Sequence, residues 1–280
     1  MIINEILKNS ILKLNHISDS ATLDCEILLS FVLGKNRSYL KAFPETMINQ
    51  EQEKQFLALF NRRLQGEPIA YLIGIQSFWK FDLKVNDNVL IPRGDSETLI
   101  EAVVDYFKNE KNIKKQVLDL GTGSGALALA IAYEFPHWQV TATDISNKAL
   151  QVAKENASLL KLGNIEFIQS DWFLNIGNKR FDLIISNPPY IDENDPEVDL
   201  FVKKYEPQKA LFSKNNGLED LYKIIEESKK YLNKNGAIFL EHGHRQAQKI
   251  REKLLKEEFC HDKTFKDLNK KDRITMAIKK

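Results

Sequence analysis

From Gln116 onward, short apolar runs alternate with longer amphipathic stretches, and no other feature constrains the fold as tightly. Val117-Leu118-Asp119-Leu120 runs into glycines and is followed by a helical pattern over 126–135. Strand patterns at 140–143, 165–168, 181–186 and 237–240 are then interleaved with helical ones at 147–160, 218–232 and 245–259. Strands this short and this apolar are buried on both faces, which requires a mostly parallel sheet with helices packed on each side. Lys263-Thr264-Phe265 and the run 274–278 lie close enough to pair as a terminal antiparallel ribbon. The expectation is an α/β domain built on a mostly parallel, seven-stranded sheet.

The chain before this point has a different texture. Ile6, Leu7, Ile11, Leu12 and Leu14 form one apolar face, and residues 21–33 form another helix with Gly34 as its C-terminal cap. Asn49, with Gln52 three residues on, reads as a capping box before Phe56, Leu57, Phe60 and Leu64. Residues 77–85 and Val89-Leu90-Ile91 flank Asn86-Asp87-Asn88 and predict a β-hairpin about that triplet. The division expected is a small helical domain over 1–74, a hairpin connector over 75–95 and the α/β domain over 96–280.

Composition narrows the function classes. A net charge of +1 on 280 residues gives no basic excess for gripping long nucleic acids. The two cysteines, Cys25 and Cys260, form no CxxC pair, and Cys25 sits in an apolar helical pattern as a buried thiol would. There is no signal-like N-terminus and no apolar run of about 20 residues, the length of a membrane span. A soluble cytoplasmic protein, acting as a monomer, is expected.

In sheets of this kind ligands sit beyond the carboxyl ends of the strands, where strand order reverses. Gly121-Thr122-Gly123-Ser124-Gly125 lies at such an end, where bare glycines let a ligand approach main-chain N–H groups and the next helix adds its N-terminal donors. A tight turn with no ligand would look similar. Asp144, ending the next strand, suits both hydroxyls of an adenosine ribose, although it could equally help cap the following helix. Asp171 and Trp172, after the third strand, offer an acceptor for the edge of an adenine and a flat ring for its face; core packing is the plainer role for the tryptophan. These loops admit either a nicotinamide dinucleotide or S-adenosylmethionine, although GxGxG is not the GxGxxG spacing of a pyrophosphate site.

The fourth strand separates the two. Residues 181–186 run straight into Asn187-Pro188-Pro189-Tyr190. An amide or exocyclic amino nitrogen is a poor nucleophile because its lone pair is delocalised, so it must be oriented along the S–CH3 axis to accept a methyl group. The Asn187 side-chain oxygen and the Pro188 carbonyl can accept its two N–H groups and favour the positive charge that develops there. The prolines fix the position of that carbonyl, and Tyr190 can pack on the planar group. This predicts nitrogen methylation from S-adenosylmethionine, with Asn187, Pro188 and Tyr190 as catalytic groups and Asn187 to Tyr190 as the substrate clamp. It does not say which nitrogen: DNA adenine, RNA and protein amide methyltransferases all use such a clamp.

Several further stretches carry a family resemblance. Residues 62–74 (RRLQGEPIAYLIG), Val89-Leu90-Ile91-Pro92-Arg93, the 117–125 loop, the Asn187 clamp, Gly217-Leu218 with Tyr222, Leu240-Glu241 with Gly243 and Gln246, and Asp267-Leu268 with Asp272-Arg273 together resemble the bacterial peptide chain release factor glutamine N5-methyltransferases over nearly the full length. The resemblance implies a Rossmann-like class I S-adenosylmethionine-dependent domain and a helical N-terminal domain that grips the protein substrate. It implies a class I release factor as partner, methylated on the glutamine of its Gly-Gly-Gln motif. By position, the loop Gly121, Thr122, Gly123, Ser124 and Gly125, with Asp144, Trp172 and Asn187, would contact the cofactor. Two stretches depart from the pattern: Gly94-Asp95-Ser96-Glu97 stands where the family reads Pro-Glu-Thr-Glu, and Asn269-Lys270 follows Asp267-Leu268 in place of a small residue and glycine.

The same residues bear on two other functions. A DNA or RNA adenine N6-methyltransferase would need a target-recognition domain or a basic groove, and neither is evident. A catalytically silent release-factor-binding module would not keep a competent residue at every cofactor position. His242 and His244 alternate after a strand, but with no third ligand nearby they read as surface or loop-packing residues, and no metal is expected.

Overall fold

The computed structural model describes all 280 residues. By contacts the chain divides into two compact units, one formed by 1–75 with 199–205 and the other by 76–198 with 206–280.

The first unit is helical: α1 (Ile3–Leu14), α2 (Ala21–Leu33), α3 (Arg37–Ala42), α4 (Gln50–Leu64) and α5 (Ile69–Ile73). Gly34 ends α2 at φ +61, and Asn49 and Gln52 form the reciprocal capping box that starts α4. Its core gathers Ile3, Leu14, Leu28, Leu29 and Phe56, all fully buried, and Cys25 is buried among them. One buried carboxylate, Asp24, is satisfied by the hydroxyls of Ser18 (2.7 Å) and Ser20 (3.0 Å) and by Arg63 Nε (2.9 Å), which keeps a charge in that core from standing unpaired.

The hairpin lies elsewhere than the sequence pattern suggests. Strands β1 (Ile75–Phe78) and β2 (Phe81–Lys84) form a two-stranded sheet about Trp79-Lys80, with Trp79 at φ +57 to make the tight turn. Asn86-Asp87-Asn88 is a turn held by the Asn86 side chain, but no strand follows it. The Val89 N–H goes back to the Asn86 carbonyl at 3.1 Å and the Ile91 N–H to the Glu206 carboxylate at 3.2 Å, so no ladder forms here.

A 3-10 turn (Gly94–Ser96) leads into α6 (Glu97–Tyr106). The sheet is then built by β3 (Gln116–Leu120), β4 (Gln139–Asp144), β5 (Ile165–Gln169), β6 (Phe181–Ser186), β7 (Leu232–Glu241), β8 (Phe259–Lys266) and β9 (Asp272–Lys279). Its order is β5-β4-β3-β6-β7-β9-β8, parallel from β5 to β7 and antiparallel in the last two pairings. The covering helices of the sheet are α7 (Ala126–Glu134), α8 (Asn147–Leu159), α12 (Glu219–Tyr231) and α13 (Ala247–Lys256), with the short α10 (Gln208–Leu211) and α11 (Lys214–Gly217) before α12; the short α9 (Leu200–Tyr205) belongs to the first unit.

Two cores flank the sheet, divided by the two-residue period of the strands. Val117, Leu183, Ile185 and Phe239 pack on one face with α6 and α7, while Leu118, Leu120, Ile184, Ile238 and Leu240 pack on the other with α12 and α13. The same period sends Asp119, Asn187 and Glu241 to the α6 side at the carboxyl ends of their strands.

Candidate active site

The order of the sheet reverses at β3, whose neighbours are β4 on one side and β6 on the other. Leu120 pairs with Ser186 across β3 and β6, so the glycine loop and Asn187 leave the sheet side by side. A cleft forms there, lined by Asp119, Gly121, Thr122, Gly123 and Ser124 from the loop, by Asn187, and by Pro92, Arg93 and Ser96 from the segment before α6.

Gly121 and Gly123 have φ of +72 and +56, a backbone that side chains disfavour. Gly125, at φ +88, is a packing glycine instead: a Cβ there would come within 2.9 Å of Leu129 Cδ1 and 3.2 Å of Ala153 Cβ. Asp144 is tied to the loop, accepting the Gly123 N–H at 2.9 Å and the Ser146 N–H at 2.8 Å. Burial lifts its carboxyl above the ordinary value in spite of these bonds. Ser146, not Asp144, caps α8.

Trp172 adopts φ +47, an uncommon conformation for a bulky residue, and its ring edge stands 3.5 Å from where a Gly121 Cβ would be. It therefore overhangs the glycine loop while resting partly on the second core. Asp171 is placed differently from Trp172: its side chain is exposed and pairs with Lys223 at 3.2 Å.

Sequence reasoning passed over the most unusual group in the cleft. Asp119 is 1 % exposed, and neither of its carboxylate oxygens has a hydrogen-bond partner; the Thr122 hydroxyl beside it is also unpartnered. Burial pushes the Asp119 carboxyl up to about 7, with the Asp144 charge adding to the effect. A buried unsatisfied acid next to bare glycines is a site prepared for a ligand that brings its own donors, and a cationic amine fits best. The signal was in the sequence: an acid inside an otherwise apolar, doubly buried strand has to be accounted for.

On the other wall, Asn187 Nδ2 donates to Ser96 Oγ at 3.1 Å. Pro188 is buried, and Pro189 and Tyr190 are partly exposed. The Tyr190 hydroxyl donates to Glu241 Oε1 at 3.0 Å, and its carbonyl accepts from Gln246 Nε2 at 3.0 Å. Gly217 packs directly on that same carbonyl at φ +78. Burial, with the Glu241 charge beside it, drives the Tyr190 hydroxyl well above its usual range, so it remains a donor. Glu241 is fully buried and pushed up to about 6 by that burial, against the stabilising hydroxyls of Ser96 and Tyr190 and the charge of Arg273. Arg273 bridges Asp267 (3.0 Å) and Asp95 (3.1 Å), joining the terminal ribbon to the Gly94–Ser96 turn. Arg93 is held by the buried Glu206, which fixes the Pro92-Arg93 wall. Glu241 and Arg273 sit in matched sequence stretches and Ser96 in one that departs from the pattern, but their convergence required the fold.

His242 is not at the surface. It is fully buried, with Nδ1 donating to the Gly243 carbonyl (2.9 Å) and Nε2 accepting from the Thr275 hydroxyl (2.8 Å). Burial lowers its pKa, so it is a neutral packing residue.

Known proteins bear on the arrangement at three levels. The family model described as a methyltransferase domain matches residues 111–279, and one described as the PrmC N-terminal domain matches residues 5–74. Among solved structures, a Pyrococcus furiosus methyltransferase superposes with a TM-score of 0.52 at 21% identity, covering 81% of this chain and 98% of that one. The Thermus thermophilus 16S rRNA N2 G1207 methyltransferase, in complex with AdoMet and guanosine, does so at 0.54 and 19% identity, covering 74% and 50%. Both share the fold. Among sequences, the release factor glutamine methyltransferase of Shewanella oneidensis is 45% identical over 98% of this chain and 95% of its own length. That of Escherichia coli K12 is 39% identical over 93% of each. Spanning both of its units, and at this level of identity, the chain belongs to the release factor glutamine methyltransferase family.

Proposed function

We propose that this chain transfers a methyl group from S-adenosylmethionine to the side-chain amide nitrogen, N5, of the glutamine in the Gly-Gly-Gln motif of class I release factors. The observation that carries this reading is the adjacency of Asn187 and the cleft with the unpartnered Asp119 carboxylate, across one pair of neighbouring strands. It brings a nitrogen clamp and a cationic-ligand site to the same opening.

Asp119 would hold the α-ammonium of the cofactor, the Gly121 to Ser124 loop its polar chain, Asp144 the ribose and Trp172 the adenine. Asp171, turned toward Lys223, plays at most an edge role there. The bound cofactor supplies an electrophilic methyl on a sulfonium. The chain's own work is to orient the acceptor: Asn187 Oδ1 and the Pro188 carbonyl accept the two amide N–H groups, turning the nitrogen lone pair toward the methyl carbon. These acceptors gain strength as positive charge builds on the nitrogen, so they stabilise the transition state more than the ground state. Once methylated, the nitrogen is acidic enough to release its proton to water, and no dedicated base is required. The helical unit over 1–74 holds the release factor away from the reacting centre. The enzyme works as a cytoplasmic monomer without a stable nucleic-acid partner; its helices include none long and apolar enough to cross a membrane.

The test offers wild-type protein and labelled S-adenosylmethionine three acceptors in parallel: unmodified class I release factor, duplex DNA and RNA. Label is expected on the release factor alone. Label on adenine with none on the release factor would replace the substrate while keeping the nitrogen chemistry.

A further inference from the structure

The two ends of the clamp are tied to hydroxyl chemistry that converges on one carboxylate. Asn187 Nδ2 donates to Ser96 Oγ (3.1 Å), and the Tyr190 hydroxyl donates to Glu241 Oε1 (3.0 Å). A serine hydroxyl that accepts a hydrogen bond still has one proton to place. Glu241 Oε2 is buried with no hydrogen bond of its own, and the Ser96 hydroxyl already favours the charged form of that carboxyl. The Ser96 hydroxyl thus stands beside the same buried carboxyl that the Tyr190 hydroxyl bonds, and both ends of the clamp are tied to the surroundings of Glu241.

The fold puts Glu241 there by register. Leu240 pairs with Ser186, so Glu241, the last residue of β7, follows alongside Asn187, the first residue after β6. Arg273, on the adjoining strand and bonded to Asp95 and Asp267, supplies the positive charge that the buried carboxylate needs.

We propose that Glu241 is the positioning residue of the clamp, fixing Asn187 through Ser96 and Tyr190 directly. The proposal rests on the reading of this site as a nitrogen methyltransferase. Its consequence is directional. With Nδ2 held by Ser96, Asn187 presents Oδ1 to the substrate, whereas a flipped amide would present a donor to the N–H groups it has to accept. Losing Glu241 therefore disturbs turnover far more than cofactor binding, most of whose contacts lie on the opposite wall.

The experiment compares full-length wild type, Glu241→Gln and Glu241→Leu for kcat, for KM toward the release factor and for Kd toward S-adenosylhomocysteine. Glu241→Leu is expected to lower kcat about 100-fold, the scale of a small misplacement of a reacting group. Glu241→Gln keeps one acceptor and should lose only about 10-fold, with KM and Kd within about twofold of wild type in both. Should Glu241→Leu fail to fold, the Ser96→Ala/Tyr190→Phe double variant carries the test. Adding Glu241→Gln to that double variant should cost nothing further, because the residues act as one unit. A kcat for Glu241→Leu within about twofold of wild type would overturn the proposal. So would a kcat loss matched by an equal loss of S-adenosylhomocysteine affinity, or a full Glu241→Gln penalty in the double background. Wild-type turnover on adenine alone overturns only the substrate reading, and the same comparison is then made on adenine; no transfer to any nitrogen overturns both.

Discussion

The side-chain amide of Asn187 is oriented by Ser96: Nδ2 donates to the serine hydroxyl at 3.1 Å, which leaves Oδ1 as the face the amide offers to a substrate. Ser96 belongs to the Gly94-Asp95-Ser96-Glu97 stretch, where the family pattern has Pro-Glu-Thr-Glu. The hydroxyl is kept, and the lost proline is offset by a 3-10 turn whose Asp95 is pinned by Arg273. Replacing Ser96 with Ala should lower kcat about 10-fold, the loss of one orienting hydrogen bond. Ser96→Thr should restore most of it. Steady-state kinetics on the release factor provide the check, and equal activity of the Ala and Thr variants would mean that the hydroxyl does not orient the amide.

Asp119 trades stability for binding. Its folded-state pKa lies above the ordinary carboxyl value, at about 7. Between these two values the folded protein holds a proton that the unfolded chain has released, so stability falls as pH rises from about 4 to 7. Asp119→Asn removes this dependence. The cofactor-free variant should be more stable than wild type at neutral pH, by up to about 4 kcal/mol at the linkage limit, with the difference vanishing near pH 4. Thermal melts across that pH range read the effect directly. The same variant should bind S-adenosylhomocysteine more weakly by about 100-fold, since a charged pairing is lost. A variant less stable than wild type at pH 7 would contradict this account of the buried acid.

Trp172 holds an unfavourable backbone conformation while its ring overhangs Gly121. Such strain is retained where the surrounding structure fixes a residue for a purpose. Trp172→Ala should weaken cofactor affinity by about 10-fold, as expected for the loss of one aromatic stacking partner. Calorimetric titration with S-adenosylhomocysteine measures it, and an unchanged Kd would return Trp172 to a core-packing role.

Gly217 has no room for a side chain. At φ +78 it packs against the carbonyl of Tyr190, and the Gln246 amide lies 2.8 Å from where its Cβ would be. Gly217→Ala must therefore displace the end of the clamp, besides carrying backbone strain of about 1 kcal/mol. The expected result is a melting temperature lowered by a few degrees together with a kcat reduced about 100-fold, because the displaced atoms belong to the clamp. Loss of stability with unchanged turnover would show that the clamp tolerates the shift.

The α/β half of the fold is readable because short, largely apolar strands alternate with helical stretches, and the strand expected at 181–186 is observed residue for residue. Capping chemistry was equally explicit at Gly34 and Asn49. The hairpin lies elsewhere because Val89-Leu90-Ile91 looks like a strand by composition, while its Val89 and Ile91 N–H groups go to the Asn86 carbonyl and to Glu206, more than a hundred residues away. At the site, the glycine loop and Asn187 are local motifs and came directly from the sequence. Glu241 and Arg273 gain their meaning only from strand register, and Ser96 only from the turn packed beside them, neither of which one sequence displays. Asp119 stands out as an acid in a doubly buried strand, and of the histidine pair read as surface or loop-packing residues, His242 is the packing one, buried and neutral.

The central claim is that Asn187 directs a methyl group onto one particular nitrogen. Tandem mass spectrometry of the Gly-Gly-Gln peptide, taken from release factor treated with wild type and with Asn187→Ala, tests it most directly. The account predicts a single methyl on the glutamine side-chain amide with wild type, and a rate at least about 100-fold lower with the variant. A methyl found on another residue, or an Asn187→Ala enzyme that modifies the glutamine at the wild-type rate, would contradict it.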